Sequence, residues 1–202
     1  MKDQLLIIFV KNPELGKAKT RLAAGIGKEA ALHVYKRLLE RTKEISSGLS
    51  SDKVVFYNDF IDYQDLWPND IYQKALQIAG DLGQKMEAAF RWAFEVGYQK
   101  VCIIGSDCYD LTTEILETAF EKLENHNAVI GPSVDGGYYL LGMTQLNSSV
   151  FKNKDWSTSS VFDSTIESFI SKNLNYFQLE ILNDIDTKED LGDWASDLIN
   201  IR

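Results

Sequence analysis

The residues best suited to chemistry are carboxylates placed where apolar runs stop. Val101-Cys102-Ile103-Ile104 is short, rich in β-branched side chains and scarcely alternating, the pattern of a strand buried on both faces of a parallel sheet. Gly105 and Ser106 end it, Asp107 and Asp110 follow, and Ile115, Leu116, Ala119, Phe120 and Leu123 mark a helix that Thr112 or Thr113 is placed to cap. Ligands of open α/β sheets gather at the carboxyl ends of strands. Hard divalent cations favour one or two carboxylates plus substrate phosphates. Asp107 is therefore a candidate metal ligand, with helix capping as the plain alternative. Asp186 stands in the same relation to the apolar stretch over residues 176–182 and to a helix expected after Thr187. The second chemical feature is the loop over residues 11–22. Lys11, Lys17, Lys19 and Arg21 outnumber its one acid, Glu14, in a chain of net charge −9. Its Lys19-Thr20 lacks the glycine spacing of a Walker A loop. Even so, a strand, a Gly-containing basic loop and then a helix is how α/β proteins hold phosphates; the bland alternative is solvated surface.

The elements that must position these groups alternate along all 202 residues. Apolar strand patterns fall at residues 5–10, 53–57, 101–104, 127–131 and 176–182. Between them run helical stripes: Leu32, Tyr35, Leu38, Leu39 and Ile45; Met86, Ala89, Phe90, Ala93 and Phe94; and Val161, Phe162, Thr165, Ile166, Phe169 and Ile170, in a helix expected to open at Trp156. Asp81 with Gln84 and Thr187 with Asp190 are capping-box patterns. Residues 58–70 read as an acidic loop. Capping explains Asp81 but leaves Gln77 without a role. Asp135-Gly136-Gly137 is a tight-turn signal that would equally let a ligand approach the backbone. With no repeat and no linker, the pattern predicts one α/β domain over residues 1–202, with a mostly parallel central sheet and helices on both faces.

Composition narrows the function classes. The acidic balance argues against nucleic-acid binding, which demands a basic face. Residues 5–10 are too short for a membrane span, so a cytoplasmic protein without membrane insertion is expected. Cys102 and Cys108, with only His33 and His126 as further soft ligands, make neither a zinc site nor a Cys–His nucleophile pair, and free thiols are expected.

Four ordered segments carry a resemblance: Lys17-Ala18-Lys19-Thr20-Arg21-Leu22, Gly80-Asp81-Leu82-Gly83, Gly105-Ser106-Asp107-Cys108 and Asp135-Gly136-Gly137-Tyr138. Together with Asp184-Ile185-Asp186-Thr187 they resemble the bacterial glycosyltransferase-like group called domain of unknown function 2064, in the nucleotide-diphospho-sugar transferase superfamily. The resemblance implies a GT-A-like fold and a metal-dependent glycosyltransferase or nucleotidyltransferase acting between a nucleotide or nucleotide-sugar donor and a small-molecule acceptor. It implies Mg²⁺ or Mn²⁺ on Asp107 and Asp186, and nucleotide and phosphate contacts from Lys11, Gly16, Lys17, Lys19, Arg21, Gln77 and Gly80, with Lys19 and Arg21 the main cations. Asp135, Gly136, Gly137, Tyr138 and Trp156 are implied to face the acceptor, with Asp107, Lys19, Arg21 and Asp135 catalytic. Tyr109 stands where the group has proline and Lys85 where it has arginine. The Asp107 motif lacks a close Asp-x-Asp pair, its spacing being Asp107 to Asp110, which leans toward nucleotidyl transfer, the group's usual label toward sugar transfer. A binding module that has lost catalysis is the alternative class, against which the retention of both Asp107 and Asp186 argues.

Overall fold

The computed structural model describes residues 3–199. Its centre is β1 (Gln4–Val10), whose run of apolar residues is buried on both faces as its lack of alternation requires. Leu6, Ile8 and Val10 face one core with α2 (Lys28–Ser47) and α4 (Thr113–Lys122), through Tyr35, Leu39, Ile45, Leu116 and Phe120. Leu5 and Ile7 face the other, with α3 (Leu82–Val96) and α5 (Val161–Ser171), through Met86, Phe90 and Phe169. The strands are completed by β2 (Asp52–Tyr57), β3 (Tyr72–Leu76), β4 (Lys100–Ile104), β5 (Ala128–Pro132), β6 (Tyr138–Met143) and β7 (Tyr176–Gln178). They form one seven-stranded sheet in the order β3-β2-β1-β4-β6-β5-β7, and β6 alone runs antiparallel to its neighbours. The chain leaves β1 toward β2 on one side and returns to β4 on the other. The carboxyl ends of β1 and β4 therefore flank a switch point, where α/β sheets open a crevice.

The α/β architecture with helices on both faces is as expected, and six local features differ. β6 falls outside the expected strand patterns, and the helix expected after Thr187 is broken into 3-10 turns and the short helix Ser196–Ile199. The edge strand β3 was not anticipated: Tyr72-Gln73-Lys74-Ala75-Leu76 is short and mixed, and only Tyr72 is fully buried. The helix expected from Trp156 begins at Val161, because Ser157 sits at φ 66°, a left-handed conformation no helix interior tolerates. The strand expected through Leu182 ends at Gln178, after which only a bridge from Leu182 to Ser133 persists. The basic loop runs into a separate short helix, α1 (Thr20–Ile26), which Gly27 at φ 89° divides from α2. Both capping boxes form, the second on a single 3-10 turn at Lys188–Asp190.

After that turn the chain folds back through α6 (Ser196–Ile199) onto α2. A small third core holds it there: Leu22, Val34, Leu38 and the buried Ile185, flanked by Tyr109, Leu191 and Trp194. Tyr109 and Trp194 stack at 3.9 Å with planes 5° apart, and the Arg37 and Arg41 guanidinium groups lie 5.8 and 5.7 Å from the Tyr109 ring. Arg41 also donates to the Tyr109 and Leu111 carbonyls. The tyrosine thus clamps the carboxyl-terminal arm to the loop after β4. We expect Trp194→Ala to cost about 2 kcal/mol and lower the melting temperature by about 4–8 °C, with Trp194→Phe recovering most of the loss in a thermal melt.

Candidate active site

The loop after β1 is held at its first residue. The buried Tyr35 hydroxyl of α2 accepts from Lys11 N at 2.8 Å and lies 3.0 Å from Lys11 O and 3.4 Å from Ser106 Oγ. Burial and then the nearby Asp107 raise its pKa. At the other end of the loop Lys19 adopts φ 52°, an uncommon left-handed conformation for a side-chain-bearing residue, just before α1. Its ammonium, on a side chain 5% exposed, reaches Asp107 Oδ1 at 2.8 Å, Asp186 Oδ1 at 3.3 Å and Ile185 O at 2.5 Å. Burial works against this charge; Asp107 and Asp186 more than offset it, so the Lys19 pKa is raised. Arg21 sits 3.3 Å from the other oxygen of Asp186, and Ile185 N donates to Asp107 O at 2.8 Å. The two carboxylates, 79 positions apart in the chain (186 − 107), are thereby joined through one cation and one backbone bond.

A cavity of about 530 Å³, within the usual range for small-molecule sites, opens above them. It brings together Lys11, Arg21, Gln77, Asp107, Asp135, Gly137, Tyr138, Trp156 and Asp186. Gly16, Lys17, Gly80 and Gly136 do not line it, and Lys19 stands behind its wall, occupied by carboxylates. Lys17 pairs with Glu14 on the surface. Gln77 acquires a structural role: its amide nitrogen donates to Val10 O at 3.3 Å and Phe56 O at 3.0 Å, tying three strand ends and turning its oxygen away from them. Lys85 lines the cavity and donates to Asn58 Oδ1 at 2.8 Å. Cys108 is a buried free thiol pushed up to about 12 by burial and then by Asp184, far from a reactive thiolate.

Two contributors were not singled out from the sequence. Tyr35 looked like one more apolar position on the α2 stripe, and nothing in its spacing reports the hydroxyl's partners. Asp184 lines the cavity beside Asp186, and its carboxyl is pushed up to about 7, first by burial and then by the negative charges of Asp107 and Asp135. Its alternation with Ile185 and Asp186 was the available signal, since a buried isoleucine between them puts both acids on the opposite side.

The donor set suits a hard divalent cation in one specific way. Among the described residues no group of three or more His, Cys, Asp or Glu side chains forms a ready metal cage. What exists is an aspartate pair facing an open cleft, crowded enough by further acid to raise Asp184. That matches cations which take one or two carboxylates and complete their shell with water and substrate phosphates.

Residues 45–158 match the family described as "Uncharacterized protein conserved in bacteria (DUF2064)". Among solved structures the chain is similar to a protein of Desulfovibrio desulfuricans G20, provisionally named a nucleotide-diphospho-sugar transferase. The two share 33% identity over 93% of this chain and 84% of that one, with a TM-score of 0.84. The inositol-1-phosphate CTP transferase from T. maritima is similar in fold alone, at 13% identity, 98% and 96% coverage and a TM-score of 0.54. So is Rv0371c of Mycobacterium tuberculosis H37Rv in complex with manganese, at 9% identity, 94% and 96% coverage and a TM-score of 0.55. No curated protein matches the sequence.

The burial of Asp184 sets the direction of a pH dependence expected of the metal-free protein. Its carboxyl rises from an ordinary 3.8 to about 7, so between these values the folded state holds a proton that the unfolded chain releases. Stability from this group therefore falls as pH rises from about 4 to about 7, then levels. Asp184→Asn is expected to stabilise the protein at pH 8 in EDTA by on the order of a few kcal/mol. The gain should vanish near pH 4, as urea titrations at the two pH values will read.

Proposed function

The chain belongs to the DUF2064 family, and on that premise we propose that it is a metal-dependent transferase that takes a nucleotide or nucleotide-sugar donor and passes a group to a small-molecule acceptor. The observation that carries this is the Asp107–Asp186 pair, bridged by Lys19, at the switch point of the sheet and under a cleft with its own cations. The base and ribose go to the ends of β1, β2 and β3, where Lys11, Asn58 and Gln77 line the cleft. Lys11, Arg21 and Lys85 meet the phosphates, and Lys19 fixes the two carboxylates instead of touching donor oxygens. Asp107 and Asp186 would hold Mg²⁺ or Mn²⁺, which neutralises negative charge gathering on a departing phosphate. The protein's own part is to position the donor on preset side chains and to keep Arg21 and Lys11 facing the leaving group. A preorganised charge of this kind supplies transition-state stabilisation without reorganisation. Asp135, beyond Asp107, takes the acceptor.

Two experiments test this reading. In a thermal-shift screen of nucleoside triphosphates and nucleoside-diphosphate sugars, a donor at about a hundred times its Kd adds roughly 2.7 kcal/mol and raises the melting temperature by about 5–10 °C. That shift should require Mg²⁺ or Mn²⁺ and should lose its metal dependence in Asp107→Asn, whose amide keeps an acceptor for Lys19. The double variant Lys11→Ala with Arg21→Ala should weaken every donor by about tenfold or more, whatever its base, in calorimetric titration. Unchanged affinity would leave the basic loop as solvated surface.

A further inference from the structure

The cleft is unequally charged. Its cations, Lys11, Arg21 and Lys85, come from the β1 loop, α1 and α3. Beyond Asp107, at the β6 end of the sheet order, the lining changes to Ser133, Asp135, Tyr138, Trp156, Ser157 and Thr158, with Asp184 below. Among the described residues lining that half, none is Lys or Arg. The lysine nearest in sequence, Lys154, is turned onto α5, where it donates to Ser164 O and, at 2.8 Å, to Ser168 Oγ.

This half is also firmly built. Asp135 Oδ1 accepts from Ser133 Oγ at 2.5 Å and Gly137 N at 2.9 Å, which fixes the carboxylate and leaves Oδ2 as its available acceptor. Gly136, at φ 86°, lies so close to Ser159 that a Cβ there would stand 2.2 Å from its carbonyl oxygen, and Gly136 O accepts from Phe162 N at 2.9 Å. The segment carrying Trp156 is thus strapped to the Asp135 turn. On its other side the indole rests on the start of α3, where a Cβ on Gly83 would fall 2.5 Å from Trp156 Nε1. The glycines of two separate motifs, Gly83 and Gly136, are required by the one segment that presents Trp156.

An aromatic face, several hydroxyls and an oriented carboxylate recognise a polyhydroxylated ring, whose C–H face stacks while its hydroxyls donate. A phosphomonoester or carboxylate in the same place would meet the Asp135 carboxylate with no lysine or arginine of that half beside it, and like-charge juxtaposition is how sites reject wrong partners. We propose that this half is an acceptor subsite for an uncharged polyol or sugar, stacked on Trp156, and that the reaction is glycosyl transfer to its hydroxyl. The inference rests on the assignment of the Asp107 half to the donor. In the step, the acceptor oxygen bonds to the donor's anomeric carbon and the bond from that carbon to the diphosphate oxygen breaks. Its electron pair leaves with the nucleoside diphosphate, and the hydroxyl proton passes to Asp135 Oδ2.

The test follows release of nucleoside diphosphate from UDP-, GDP-, CDP- or dTDP-glucose with Mg²⁺, using whichever nucleotide binds in calorimetric titration. The added acceptors are glucose, myo-inositol and glycerol, each compared with its monophosphate. Neutral acceptors should raise release by at least about tenfold over hydrolysis, and the monophosphates should not. Asp135→Asn should remove about a hundredfold of the stimulated rate with nucleotide Kd unchanged. Trp156→Ala should raise acceptor KM about tenfold with little change in kcat, and Trp156→Phe should restore it. Stimulation by the monophosphates, none by any neutral acceptor, or an unaffected Asp135→Asn would overturn the acceptor assignment while nucleotide binding stands. Failure of every nucleotide to bind would overturn the donor reading, and this inference with it.

Discussion

One buried ammonium ties the molecule's two ends together. Lys19 reaches its carboxylates only because the backbone before α1 turns left-handed, a conformation that costs of order 1–3 kcal/mol and persists where the surroundings enforce it. The enforcement is visible on both sides. Tyr35 pins the start of the loop to α2, while Ile185, packed on Leu22, Val34 and Leu38, supplies the carbonyl that Lys19 binds and holds the adjacent Asp186 carboxylate against it. Such an arrangement is poor as a stabilising device, since desolvating the ammonium consumes most of what its attraction to the two carboxylates returns. Its value is positional: it brings an aspartate from the middle of the chain and one from the end to a common place beneath an open cleft.

The cleft inherits its direction from the sheet. Parallel strands β1, β2 and β3 deliver backbone ends, Gln77 and the basic loop to one side of Asp107, while antiparallel β6 starts on the other side at Tyr138, with Asp135 and Gly137 before it. Cations on one flank and carboxylate, hydroxyls and indole on the other follow from that strand order. In the proposed transfer between an anionic donor and a hydroxyl acceptor, the reacting bond would lie at the boundary of that division.

The sheet and its helices were legible in the sequence because burial on two faces leaves a recognisable run, as in β1 and β4, and because helical stripes and capping boxes are local. The edge strand β3 was not, since an edge is only half buried and Tyr72 is its one fully covered residue. Asp107, Asp135 and Asp186 were legible as acids at element ends. Lys19 was legible as a cation but not as a partner of Asp107 and Asp186, because charge in a loop says nothing of which way a left-handed residue will send it. Tyr35 and Asp184 draw their roles from tertiary partners, and so does Tyr109, whose stacking partner, Trp194, is 85 positions away (194 − 109).

The central claim is that Asp107 and Asp186 together hold a divalent cation against donor phosphates. Anomalous diffraction at the manganese edge, from crystals grown with Mn²⁺ and a nucleoside diphosphate, measures it directly. The account predicts a peak about 2.1 Å from oxygens of both aspartates and of the diphosphate, with the remaining ligands water. A diphosphate bound in the cleft with no peak at those carboxylates would contradict it.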